Sequence, residues 1–184
     1  MLFTLTIRGL LGFLLVVLAD DITEGVVYEK DGVKVTAFDV DHGPDIKPAL
    51  GFRIDYRGRS VVNSGDTRYS ENLIQFSRGA DVLIHEVAAA KEELLARSEA
   101  VRRIIAHHTT PEEAGRVFDR VKPGLAVYSH IALLTDPTIH EPTVQDLVTL
   151  TRKTYAGPLE VGEDLMTLEV GDSIKVLRFT PRPR

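Results

Sequence analysis

The sequence predicts a mixed α/β domain, in which one sheet of antiparallel and parallel strands carries helices on a face. Three observations predict it. Two hairpin signals come early in the chain and are followed by strands alternating with helices, the order expected of a mixed sheet. Short apolar runs rich in Val, Ile and Leu read as buried strands. The 184 residues, 43% hydrophobic and 27% charged, suit one domain with a true core.

The elements follow in order. Residues 26–29 and 33–40 form two strands across Lys30-Asp31-Gly32, because Asp-Gly between β-prone runs signals a hairpin. A second hairpin joins 51–56 to 60–63 across Arg57-Gly58. Residues 70–78 make a short helix with Ser70 as its N-cap and Gly79 at its end. A strand over 81–85 precedes a helix-prone stretch, 88–100. Thr110-Pro111-Glu112-Glu113 starts a helix with a cap, a proline at the first position and acids in the first turn, and Lys122-Pro123-Gly124 stops it. A strand over 125–129, a helix over 143–154 and a closing hairpin over 165–179 around Gly171-Asp172 complete the chain.

Residues 1–19 stand apart, with 14 apolar residues among them. Three readings stay open: a secretory leader cut near Val17 and Ala19, an anchor, or a truncated core element with a strand over 2–7 and a buried helix or strand over 10–18. The unbroken run, residues 9–18, is shorter than the roughly 18–20 needed to cross a bilayer, so no stable membrane span is expected. Residues 20–184 form the domain proper. Localisation is cytoplasmic, or periplasmic or secreted if the leader reading holds.

Composition narrows the chemistry. Cysteine is absent, so any metal must be held by imidazole and carboxylate. The net charge of -5 and pI near 5.7 give RNA binding no support, since phosphate-gripping domains usually have a pI above about 9. Five apolar runs end in polar groups able to meet a metal: VTAFDVDH at His42, RSVVNSGD at Asp66, ADVLIHE at His85 and Glu86, RRIIAHH at His107 and His108, and LAVYSH at His130. Ligand crevices in open α/β sheets lie at strand carboxyl ends, so these groups are expected to converge.

Each group alone has a plain alternative. Asp66 could cap its own turn, and His42 and His130 could be exposed turn residues. As a ligand, His42 would need an orienting acid, for which Asp41 is the nearby candidate. Neighbours on a strand face opposite ways, so one member of each His85-Glu86 and His107-His108 pair can pack inward while the other meets the crevice. A Glu-His contact suits a general acid, and a structural hydrogen bond between them gives the same sequence. His140 follows no apolar strand and reads as a surface residue.

In that order, VDHGP, GFRIDYRGRSVVNSGDT, ADVLIHE, AHHTTPEEAG and YSHI resemble the C-terminal half of a metallo-β-lactamase-fold hydrolase of the ribonuclease Z-like branch, over residues 20–176. The resemblance implies the second half of an αββα sandwich and up to two Zn2+ ions. His42 would bind one, His130 the other, and Asp66 would bridge them. Glu86 and His108 would serve leaving-group protonation, with Thr109 where serine is usual and His85 and His107 as supports. The implied reaction is attack by metal-bound hydroxide on a phosphodiester or related ester. One departure is large: the family's earlier His-x-His-x-Asp-His segment has no counterpart, because no histidine precedes His42. Two protein ligands per metal would remain, below the three typical of catalytic zinc. The alternative is a non-catalytic fragment acting as a binding or complementing module. The missing N-terminal half is then the expected partner, with a homodimer left open.

Overall fold

The computed structural model describes residues 21–180, together with the short strands β1 (Phe3–Thr4) and β2 (Val16–Val17), which pair antiparallel. The readings offered for 1–19 otherwise lie outside the described residues. The body is a seven-stranded sheet in spatial order β3 (Gly25–Lys30), β4 (Val33–Asp39), β5 (Leu50–Tyr56), β6 (Arg59–Asn63), β7 (Val82–Ala90), β8 (Leu125–Leu134) and β9 (Leu159–Val161). The first four strands form an antiparallel meander, and the pairs β6-β7, β7-β8 and β8-β9 are parallel. Both tight turns have positive φ at each central residue, at Asp31-Gly32 and Arg57-Gly58, the conformation that matches strand twist.

Helices α1 (Glu71–Phe76), α2 (Glu92–Arg97), α3 (Glu99–Ile105), α4 (Pro111–Val121) and α5 (Val144–Thr151) fill the connections to the parallel strands. Phe38, Leu73, Leu83, Phe118, Tyr128 and Leu147 form the core between sheet and helices. On the opposite face, the hairpin of β10 (Thr167–Val170) and β11 (Ile174–Leu177) covers Val82, Leu125 and Val127. The mixed α/β expectation therefore holds, and the Ser70 and Thr110 caps accept from backbone amides as the sequence suggests; Thr143 caps α5 in the same way.

Three expectations are corrected. The stretch 88–100 does not start as a helix, because Ala88 to Ala90 extend β7 by pairing with Ala132 to Leu134. Neighbouring-strand hydrogen bonds override the helix propensity of alanine there. RRIIAHH is not a strand either: Arg102 to Ile105 end α3, and His107 and His108 lie in the turn beyond it. Finally, β7 and β8 run past their polar residues. Glu86 pairs with Ser129 and Val87 with Ile131, so His130 is the extra residue of a bulge with φ 43°.

Close helix packing gives a stability test. A Cβ on Gly115 of α4 would sit 2.4 Å from Thr154 Oγ1 and 2.7 Å from the Thr151 carbonyl oxygen. Gly115→Val is expected to cost about 1–3 kcal/mol in urea unfolding, the range for overpacked contacts. An unchanged midpoint would show that α4 and α5 can move apart freely.

Candidate active site

The site is built from three loops, strand β7 and the bulge in β8. Asp66 lies past β6 in Ser64-Gly65-Asp66-Thr67. Gly65 takes φ 60° and passes so close to Leu50 that a Cβ would be 2.3 Å from its carbonyl oxygen. The turn is pinned by hydroxyls: Ser64 Oγ donates to the Gly65 carbonyl at 2.6 Å and accepts from the Glu86 amide at 3.1 Å. Thr67 Oγ1 accepts from the Asp41 amide at 3.1 Å.

His42 follows β4. Its Nδ1 lies 2.8 Å from the His107 carbonyl oxygen. A carbonyl only accepts, so Nδ1 carries the proton and Nε2 of the neutral ring keeps a free lone pair. The His107 ring itself packs on Gly43, where a Cβ would come within 3.1 Å of it. Asp41 does not orient His42. It accepts from the Gly43 amide at 3.0 Å and pairs with Arg68 at 2.8 Å, and that guanidinium holds its carboxyl below the usual range.

On β7 the two neighbours divide as expected. His85 is fully buried toward the helices, its ring 5.8 Å from Phe118. Burial lowers its pKa to about 3, so it is neutral; Nδ1 meets Ser64 Oγ at 3.2 Å, and Nε2 has no partner among the described residues. Glu86 is 2% exposed. Its Oε1 accepts from the amides of Thr109 at 2.8 Å and Thr67 at 3.4 Å, and its Oε2 lies 3.2 Å from His108 Nδ1. Burial pushes the Glu86 carboxyl up to about 8, and the same desolvation lowers His108, helped by the neighbouring His42. The pair therefore favours a neutral carboxylic acid against a neutral imidazole.

Convergence is real around His108. Its ring centroid is 4.9 Å from that of His42 and 5.8 Å from that of His130, and His130 Nε2 is 3.4 Å from Asp66 Oδ2. Thr109 is buried and donates through Oγ1 to the Thr67 carbonyl at 2.6 Å. His140 stays outside, exposed in the loop before α5. The roles of Ser64 and Thr67 were not legible. Their only signal was that they flank Gly65-Asp66.

The donors present do not by themselves make a complete metal site. Among the described residues no three or more of the His, Asp and Glu side chains form a group able to hold an ion, whereas catalytic zinc typically has three protein ligands. No helix among the described residues is long and apolar enough to cross a membrane.

Comparison with known proteins fits this geometry. The family described as the beta-lactamase superfamily domain matches residues 15–131. The ribonuclease Z of Mycobacterium avium is 30% identical over 148 residues, covering 80% of this chain and 51% of that protein. The chain spans about half the length of this relative and of several others like it. Among solved structures, the metallo-beta-lactamase fold protein YhfI from Bacillus subtilis aligns with TM-score 0.57 at 20% identity, over 74% of this chain and 49% of its own. The Zn(2+)-bound PqqB of Methylobacterium extorquens gives 0.53 at 18%, over 78% and 49%. These two share the fold.

The Glu86 contacts lead to a paired prediction. Glu86→Ala leaves two buried amides without acceptors and should cost about 2–4 kcal/mol. Glu86→Gln can accept from the amides and donate to His108 Nδ1, and should stay within about 1 kcal/mol at pH 7. Because burial raises the folded carboxyl from 4.5 to about 8, the folded state keeps its proton after the unfolded chain has lost it. Wild-type stability should thus decline as pH rises through that window, and the decline should be absent in Glu86→Gln when melting temperatures are compared across pH.

Proposed function

The chain belongs to the beta-lactamase superfamily, and from that premise we propose that it carries part of the active site of a metal-dependent hydrolase of the ribonuclease Z kind, acting on a phosphodiester or related ester. The observation that carries this reading is the clustering of His42, Asp66 and His130 around the Glu86-His108 pair, with the His42 tautomer set by the His107 carbonyl. A backbone acceptor on one imidazole nitrogen that frees the other is the arrangement usual for metal-binding histidines.

We assign His42, Asp66 and His130 as donors to zinc. Asp66 would be shared between two ions, and three-fold ligation would require donors beyond these three side chains. The chain's own contribution is proton handling. With Glu86 protonated, its hydroxyl donates to His108 Nδ1, so the His108 proton sits on Nε2. Hydrolysis adds water across the ester, and the departing oxygen needs a proton. His108 Nε2 supplies it while Nδ1 takes the proton of Glu86, so no buried imidazolium builds up, and the proton that the attacking water releases to solvent balances the one that restores Glu86 to its acid form afterwards. Thr109 and Thr67 hold Glu86 in place through their amides. His85 supports the Asp66 turn through Ser64, and His107 supports His42.

One observation favours a second reading: the absence, among the described residues, of any three-donor group. On that reading the chain is a non-catalytic module that binds, or is completed by, another segment. RNA as substrate draws on the ribonuclease Z relatives and finds no help in a net charge of -5.

Zinc titration followed by elemental analysis separates the readings. If Asp66 is shared, Asp66→Ala should remove all retained zinc, whereas His42→Ala and His130→Ala should each remove one part of it. Unchanged zinc in Asp66→Ala would end the shared-ligand assignment. Two zincs per chain with turnover of bis(p-nitrophenyl) phosphate would eliminate the non-catalytic reading.

A further inference from the structure

His42 and Asp66 lie on different loops, and the residues beside them tie those loops together through both backbone and side chain. The Asp41 amide donates to Thr67 Oγ1 at 3.1 Å, and the Arg68 amide donates to the Asp41 carbonyl at 2.8 Å. The Asp41 carboxylate then divides its two oxygens. Oδ2 pairs with Arg68 Nη2 at 2.8 Å, and Oδ1 accepts from the Gly43 amide at 3.0 Å, on the far side of His42. Gly43 takes φ 92°, where the His107 ring packs against it. Asp41 makes no hydrogen bond to the His42 ring, whose orientation the His107 carbonyl sets; it acts on the backbone to either side.

We propose that Arg68 is a positioning residue: by holding the Asp41 carboxylate it fixes the backbone around His42, and so sets where that ring stands relative to Asp66 and to the His107 carbonyl. The proposal rests on the hydrolase reading given above for the use made of His42 and Asp66, whereas the clamp itself needs neither metal nor substrate. Exposure separates placement from stability. The two side chains are 46% and 47% exposed, and an ion pair that open to water contributes little to stability and is screened by salt. Its leverage lies in geometry. Without the guanidinium the carboxylate is free to rotate about its own side-chain bonds, and the Gly43 amide then exchanges its acceptor for water. Glycine has no Cβ to confine its φ, so the chain after His42 loses its fixed course. The bond from His42 Nδ1 to the His107 carbonyl joins residues 65 positions apart, and it forms only while the His42 backbone stays in place.

The test reads the His42 tautomer in the presence of EDTA, so a failed hydrolase reading leaves its outcome untouched. Nitrogen NMR of the imidazole rings, above the ordinary histidine titration range, shows which ring nitrogen carries the proton. In the wild type it should be Nδ1, as a carbonyl acceptor requires. Arg68→Ala should lower the ratio of Nδ1-protonated to Nε2-protonated His42 about tenfold, the loss of one hydrogen bond, while the melting temperature falls by no more than about 4 °C. Arg68→Lys can still make the single contact to Asp41 Oδ2 and should return the ratio to within about threefold of wild type. In an Asp41→Ala background, Arg68→Ala should add no further change, because Arg68 acts through that carboxylate. A wild-type ratio in Arg68→Ala, a ratio in Arg68→Lys as low as in Arg68→Ala, or a full additional effect of Arg68→Ala on top of Asp41→Ala would each overturn the proposal.

Discussion

One buried carboxyl holds the site together. Glu86 sits on a central strand of the sheet, and its two oxygens reach the Thr67 amide behind Asp66, the Thr109 amide and the His108 ring. Two separate lengths of chain, at Thr67 and at His108-Thr109, are thereby fixed against one side chain. A buried carboxyl is tolerated only when its oxygens are satisfied, so the loops that satisfy it are held where they can also present Asp66 and His108. Ser64 and Thr67 add the hydroxyl links that bring in His85 and the His42 loop.

The bulge in β8 belongs to the same arrangement. The register between β7 and β8 slips by one residue immediately after Glu86, and the residue left over is His130. A regular ladder would assign that side chain to a face by simple alternation. The slip instead frees it to meet Asp66, which lies on the connection leaving β6, two strands away across the sheet. Glu86 is thus the last residue before the slip, and His130 the one the slip leaves over.

Much of this was legible in the sequence, and the misses share a cause. The two hairpins announced themselves through Asp31-Gly32 and Arg57-Gly58, because a positive φ at both central turn residues is a local demand that glycine meets locally. The helix caps at Ser70 and Thr110 were readable for the same reason. The polar ends of the apolar runs named the residues that gather around His108, although one run, RRIIAHH, is helical. Non-local features stayed hidden. Ala88 to Ala90 are strand because β8 lies alongside, and no short window contains that fact. The His130 bulge depends on the relative lengths of two strands about 40 residues apart in sequence. The link from His42 to the His107 carbonyl crosses 65 residues and involves a backbone atom, which carries no sequence signature at all.

That span has a consequence for how the molecule comes into being. The contacts that define the site join residues separated by 19 to 65 positions, and none of them can form within a single hairpin or helix. Closing such loops costs entropy before any of these hydrogen bonds can repay it, so the meander β3 to β6 and helix α4 have every local advantage in forming first. The His42 loop, the Asp66 turn and the His107-His108 turn then lock together in the closing stage of folding, when Glu86 leaves water. The chemistry of the chain is in this sense its last piece of structure to appear.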